Sequence, residues 1–210
     1  MKILVACEES QRVAKEFVTL GHEAYSCDVE FCSGGMPEIH IWADVRPLLN
    51  GNCDFRTCNG QLHHVERWDM IIAFPPCTYL TKAGACNLYN KDGELDVERY
   101  NKGLEAKEFF MDILNADCDK IVIENPIPMK MYGLPEPNQV IEPYYFGEPV
   151  TKTTYLWLKG VPFLCPTNVI EPIYTFTTYP LFKNSNGKYR QKNRSKTFEG
   201  VAKAMALSWG

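Results

Sequence analysis

Three short apolar runs, KILVA (2–6), DMIIAF (69–74) and KIVIEN (120–125), each end in small or polar residues. Runs of that length suit strands covered on both faces, as in a parallel sheet, better than helices. Helical periodicity fills the gaps between them. SQRVAKEFVTLG (10–21) sets Val13, Ala14, Phe17 and Leu20 on one face, with Ser10 as a cap and Gly21 as a stop. EAYSCD (23–28) follows as a further strand ending in an acid, and DVERYNKGLEAKEFFMDILNA (96–116) is a long amphipathic helix before the third run. This alternation predicts an α/β protein with a mostly parallel, doubly wound sheet. Ligands of such sheets bind outside the carboxyl ends of the strands. Cys7, Glu8, Asp28, Cys77 and Glu124 all fall there.

Beyond Asn125 the chain is richer in Pro, Tyr and Thr. TTYLWLKG (153–160) reads as a late strand with Tyr155, Trp157 and Lys159 on one face, and FEGVAKAMALSWG (198–210) as a closing helix. Residues 161–196 between them are irregular, and no internal repeat or second core is visible. The 210 residues therefore predict one domain, long enough to bury a substantial core. A formal charge of −4 excludes a uniformly basic nucleic-acid binder but not a local basic patch. Nine cysteines, an odd number without dense spacing, speak against a secreted disulfide scaffold. Without an apolar run of roughly 18 residues, the expectation is a soluble protein of a reducing cytoplasm.

Four constellations bear on chemistry. The turn after the first strand, Cys7-Glu8-Glu9-Ser10, lacks the glycines of a dinucleotide fingerprint. Asp28, about twenty residues beyond that turn, has the spacing of a carboxylate that accepts from ribose hydroxyls, and also that of an ordinary surface acid at a strand end. Pro75 and Pro76 stiffen the turn that presents Cys77. Cys77 fits either a nucleophile acting as its thiolate or a small buried side chain. Glu124 and Asn125 end the third run at the same edge, where a buried acid is costly unless paired; a helix-capping role fits them as well. Lys183, Lys188, Arg190, Lys192, Arg194 and Lys196 form a basic run that suits either phosphate binding or a solvated loop. Cys53 and Cys58 with His63 and His64 have a spacing looser than structural zinc sites use, so no metal is expected.

Taken together these residues resemble the AdoMet-dependent DNA cytosine-5 methyltransferases, and more closely their short phage- and prophage-type members. Against that short group the likeness spans nearly the whole chain through VACEES, GHEAYSCD, CSGG, PPCTYLT, ENP, YYFGEP, LWLKG and RSKTFEGVAKAMA. The resemblance implies a Rossmann-like class I methyltransferase fold with a small irregular insert near the C-terminus. It implies S-adenosyl-L-methionine held by Cys7, Glu8, Glu9, Ser10, Asp28, Asp44, Val45 and Pro75. It implies catalysis by Cys77, Glu124 and Lys152 on cytosine in DNA, single-stranded or duplex, in a bacterial host cytoplasm. Pro76, Thr78, Asn125, Thr154, Lys188, Arg190 and Arg194 would contact the substrate, with residues 161–196 as a reduced target-recognition segment.

The chain also departs from that family. The glycine-rich cofactor turn is missing, and Thr78 replaces the usual Gln after Pro-Cys. In FGEPVTKTT (146–154) Val150 stands for Gln, Lys152 for the first Arg and Thr154 for the second, which removes a fixed, always-charged donor. A modifying enzyme for free pyrimidine nucleotides, or a non-catalytic nucleotide or partner binder on the same fold, remains an alternative at this stage.

Overall fold

A computed structural model describes residues 1–180 and 192–210. Five strands were visible in the apolar pattern: β1 (Lys2–Ala6), β2 (Glu23–Asp28), β6 (Met70–Ala73), β7 (Ile121–Pro126) and β10 (Thr154–Lys159). The pattern did not reveal β3 (His40–Trp42), β4 (Cys53–Arg56), β5 (Leu62–Val65), β8 (Gln139–Ile141), β9 (Val150–Thr151) or β11 (Tyr174–Thr175). A seven-stranded sheet runs in the order β3-β2-β1-β6-β7-β10-β8. Its first five strands are parallel, and β10 runs antiparallel to both β7 and β8. The architecture is thus α/β with a mostly parallel central sheet.

Helix α1 (Arg12–Thr19) and the closing helix α3 (Glu199–Trp209) cover one face. There Val13, Ala14 and Phe17 pack with Val201, Ala202 and Met205 over Ile3, Val5, Ile72 and Val122. Helix α2 (Val97–Leu114) covers the other face, setting Phe109, Phe110 and Ile113 against Leu4, Ile71, Ile121 and Ile123. Alternate residues of the same strands therefore enter opposite cores, which is why those strands read as unbroken apolar runs. Asp96 starts α2 by accepting the Arg99 backbone N–H at 2.9 Å. Gly103 inside α2 is explained by packing, because a Cβ there would meet the Tyr132 ring at 2.1 Å. That contact seats the chain leaving β7 on α2.

The segment 53–65, weighed as a possible metal cluster, forms the antiparallel hairpin β4–β5. His63 bonds Tyr25 at 2.9 Å, and His64 bonds Asp54 at 2.8 Å. No group of three or more His, Cys, Asp or Glu able to hold a metal occurs among the described residues. Among them no helix is long and apolar enough to cross a membrane.

Candidate functional site

Continuing the β6–β7 register past Ala73 and Ile123 brings Phe74 level with Glu124 and Pro75 level with Asn125. The Phe74 N–H donates to the Ala6 carbonyl at 3.0 Å, and the Glu8 N–H donates to the Cys27 carbonyl at 3.2 Å. Asp28, Cys7, Phe74 and Glu124 thus form one row along the carboxyl edge of the parallel strands, astride the point between β1 and β6 where strand order reverses.

Cys77 follows a buried Pro75 and an exposed Pro76, and is itself half-buried beside an exposed Thr78. Its carbonyl accepts from the Leu80 and Thr81 amides at 3.1 and 3.0 Å. The turn beyond it is stitched to the chain leaving β7: Met129 N–H donates to Leu80 O at 2.7 Å, and Lys82 N–H to Ile127 O at 2.9 Å. This stitching brings Cys77 and Glu124, 47 positions apart by their residue numbers (124 − 77), to the same end of the sheet. Arg99 steadies the turn through a 3.3 Å bond to the Thr78 carbonyl.

Burial raises the Cys77 thiol pKa, and the neighbouring Glu124 raises it further, while Lys152 and Arg194 oppose both. Burial also raises the Glu124 carboxyl pKa, against Lys152 and the Thr154 hydroxyl. Lys152 sits on the short link between β9 and β10. Its backbone N–H donates to Glu142 Oε2 at 2.8 Å, and Thr153 donates to the other oxygen of the same carboxylate. Its ammonium reaches the Arg194 carbonyl at 3.5 Å and lies over the Phe176 and Phe198 rings. A cavity of about 20 Å³ beside Glu124 is lined by Lys152, Thr154, Ser195 and Phe198 among others. That is room for about one water. Asn125 is fully buried, and neither its amide oxygen nor its nitrogen has a hydrogen-bond partner.

At the β1–β2 end the turn is tight. Cys7 and Gln11 both take φ 59°, the left-handed region that glycine occupies most easily. Gly34 explains why CSGG follows: a Cβ there would meet Ser10 O and Gln11 Oε1 at 2.5 Å. The Gln11 side chain brackets Met36, donating to its carbonyl at 2.7 Å and accepting from its amide at 3.0 Å. Cys7→Gly and Cys7→Ala both lose the thiol's packing, but only glycine relieves the backbone. The glycine variant is therefore expected to be the more stable by about 1 kcal/mol, which paired denaturant titrations measure.

Glu8 points inward. Its carboxylate accepts the Val13 and Ala14 amides at 2.6 and 3.1 Å, closing the N-terminus of α1. Burial nevertheless pushes its pKa up to about 7. A carboxyl raised on folding contributes stability that is complete below its ordinary value of 4.5 and is lost as pH rises through the folded value. Between pH 5 and 8 the protein should lose roughly 2 to 3 kcal/mol relative to Glu8→Gln, whose acceptor stays neutral. Parallel melts of the two proteins across that range would show it; parallel pH profiles would contradict it.

The other expected ligand-facing groups divide. Val45 is buried, and Asp44 is exposed and paired with Arg46 at 3.2 Å. Asp28 accepts the Glu30 amide at 2.8 Å; burial, followed by the charges of Glu30 and Glu9, raises its pKa. Glu9 is buried, and Lys192 forms an ion pair with it at 3.4 Å and with Glu30 at 3.3 Å. Arg12 donates to the Thr197 carbonyl at 2.6 Å. Sequence reasoning missed Arg12, Glu142 and Phe176, and took Lys192 only as one charge of a basic run. Lys188 and Arg190, expected at the substrate, lie outside the described residues, as does Lys183.

No protein-family model and no curated protein matches the chain. Among solved structures it is similar to a candidate DNA modification methyltransferase encoded within a prophage of E. coli, at 11% identity and a TM-score of 0.44. The match covers 83% of this chain and 53% of the other, so the chain spans about half the length of that protein.

Proposed function

We propose that this chain is an AdoMet-dependent methyltransferase acting on C5 of cytosine in DNA through a covalent adduct at Cys77. The observation that carries the proposal is the meeting of Cys77 and Glu124 on adjacent strand ends, with Lys152 opposing the effect of burial on both.

The groups at the β1–β2 end fit such a cofactor. The α1 amides that would hold a phosphate are taken by Glu8, which disfavours dinucleotides. What remains is a set of carboxylates, Glu9, Asp28 and Asp44, suited to an ammonium group and to ribose hydroxyls. When bound, AdoMet would supply an electrophilic methyl group on its sulfonium. Glu9, Asp28 and Asp44 would hold it, with Cys7, Ser10, Val45 and Pro75 around them.

In the proposed reaction the Cys77 thiolate adds to C6 of cytosine, forming a C–S bond and moving the ring electrons toward C5. Glu124, whose hold on a proton burial strengthens, passes a proton to N3 and so stabilises that charge. Lys152, which lines the same cavity as Glu124, opposes the effect of burial on its carboxyl. After C5 has gained its methyl group it loses its proton to water, the C6–S bond breaks, the thiolate returns and the N3 proton goes back to Glu124. A duplex target would have to flip its base out of the stack; Pro76, Thr78 and Thr154 would line its pocket, with residues 161–196 carrying the strand contacts. Incubation with methyl-labelled AdoMet and DNA, followed by nucleoside analysis, tests this: label in 5-methylcytosine supports it, and label in N4-methylcytosine or N6-methyladenine overturns it.

A further inference from the structure

Position 154 carries Thr154, buried beside Glu124, where the resemblance calls for an arginine. The cation missing from the strand has a counterpart in another segment. The Arg194 guanidinium carbon lies 4.3 Å from the centre of the Phe176 ring, a cation–π distance. The Lys152 ammonium lies 5.4 Å from the same ring and 3.5 Å from the Arg194 carbonyl. Phe176 therefore gathers two cations on the side of the sheet edge that holds Cys77 and Glu124. The segment carrying Arg194 is anchored at both ends, by Lys192 to Glu9 and Glu30 and by the Thr197 carbonyl to Arg12.

We propose that Arg194, seated on Phe176, is a positioning residue that supplies the fixed positive charge for the Cys77 site which Thr154 leaves unfilled. This rests on Cys77 being the reactive thiol. It changes the role of Arg194 from a backbone-phosphate contact to a charge that acts on the protein's own nucleophile. Among the described residues the charged groups that act on Cys77 are Glu124 from β7, Lys152 from the β9–β10 link and Arg194; the first raises the thiol pKa and the other two lower it. Lysine at 194 would keep the charge but lose the planar stacking on Phe176.

The test needs neither cofactor nor DNA. Cys77 thiolate displaces iodide from iodoacetamide, and peptide mass mapping reads that one site among the nine cysteines across a pH series. Arg194→Gln should slow Cys77 labelling roughly three- to ten-fold below the thiol pKa and move its profile to higher pH. Arg194→Lys should lie between that variant and the wild type. An unchanged melting temperature of Arg194→Gln shows that the scaffold is intact. An unchanged Cys77 profile in Arg194→Gln would overturn the proposal. A shifted alkylation profile in a protein that transfers no methyl group would keep the role of Arg194 and remove the methyltransferase assignment instead.

Discussion

Replacing Cys77 by alanine is expected to lower methyl transfer to cytosine by about 10⁴-fold or more, with cofactor affinity unchanged. The size follows from covalent catalysis: without the thiolate no bond forms at C6, and C5 of an aromatic pyrimidine is too weak a nucleophile to be methylated directly. Cofactor affinity is spared because Glu9, Asp28 and Asp44 stand toward β2 while Cys77 follows β6. Steady-state rates with labelled AdoMet, beside calorimetric titration of the same variant, make the measurement. Retention of more than a few per cent of the rate would remove Cys77 from the mechanism.

Glu124→Gln should act in two opposite directions, which makes it the sharper diagnostic. Methyl transfer should fall by about 10² to 10⁴, because an amide keeps the shape and a hydrogen bond to N3 but cannot donate a proton. Alkylation of Cys77 by iodoacetamide should meanwhile speed up, because the variant loses the carboxylate whose charge raises the thiol pKa. Because unfolding would also expose the thiol and speed its alkylation, an unchanged melting temperature of Glu124→Gln is read beside the two rates. A fall in both rates, or a faster alkylation that comes with a lowered melting temperature, would contradict this role of Glu124.

How far the site was legible in the chain follows from where its information resides. Buried parallel strands carry their signature in consecutive residues, so β1, β2, β6 and β7 could be located to within a residue or so, together with the groups at their carboxyl ends. β3 and β8, each three residues long at the two margins of the sheet, mix His, Trp or Gln into too short a run to show a period. The hairpin β4–β5 alternates exposed polar groups with single buried ones and resembled a ligand cluster instead. Side-chain direction was the harder part. A glutamate after the first strand was evident, but not that Glu8 turns inward to close α1 while Glu9 faces Lys192. Ties such as Lys192 to Glu30, 162 positions apart, leave no local pattern. They depend on β10 and α3 returning the chain to the front of the sheet.

Those ties also explain how a turn without glycines can close. Cys7 takes a left-handed conformation at a steric cost, and the surroundings hold it there through Gly34, the Gln11 bracket on Met36 and the Glu8 cap. The missing glycines are thus matched by fixed side-chain bonds around the same corner. Arg194 and Lys152 likewise gather on Phe176, and in the proposed role of Arg194 they stand in for the arginine that the resemblance calls for at Thr154.

The proposed bond from Cys77 to C6 of cytosine can be trapped by incubating the protein and AdoMet with DNA containing 5-fluorocytosine, whose C5 fluorine blocks the final elimination, and weighing the protein under denaturing conditions. The account predicts a protein–DNA adduct whose mass includes one transferred methyl group, and which is absent from Cys77→Ala. An unmodified protein mass, in a preparation shown to bind both AdoMet and the DNA, would contradict it.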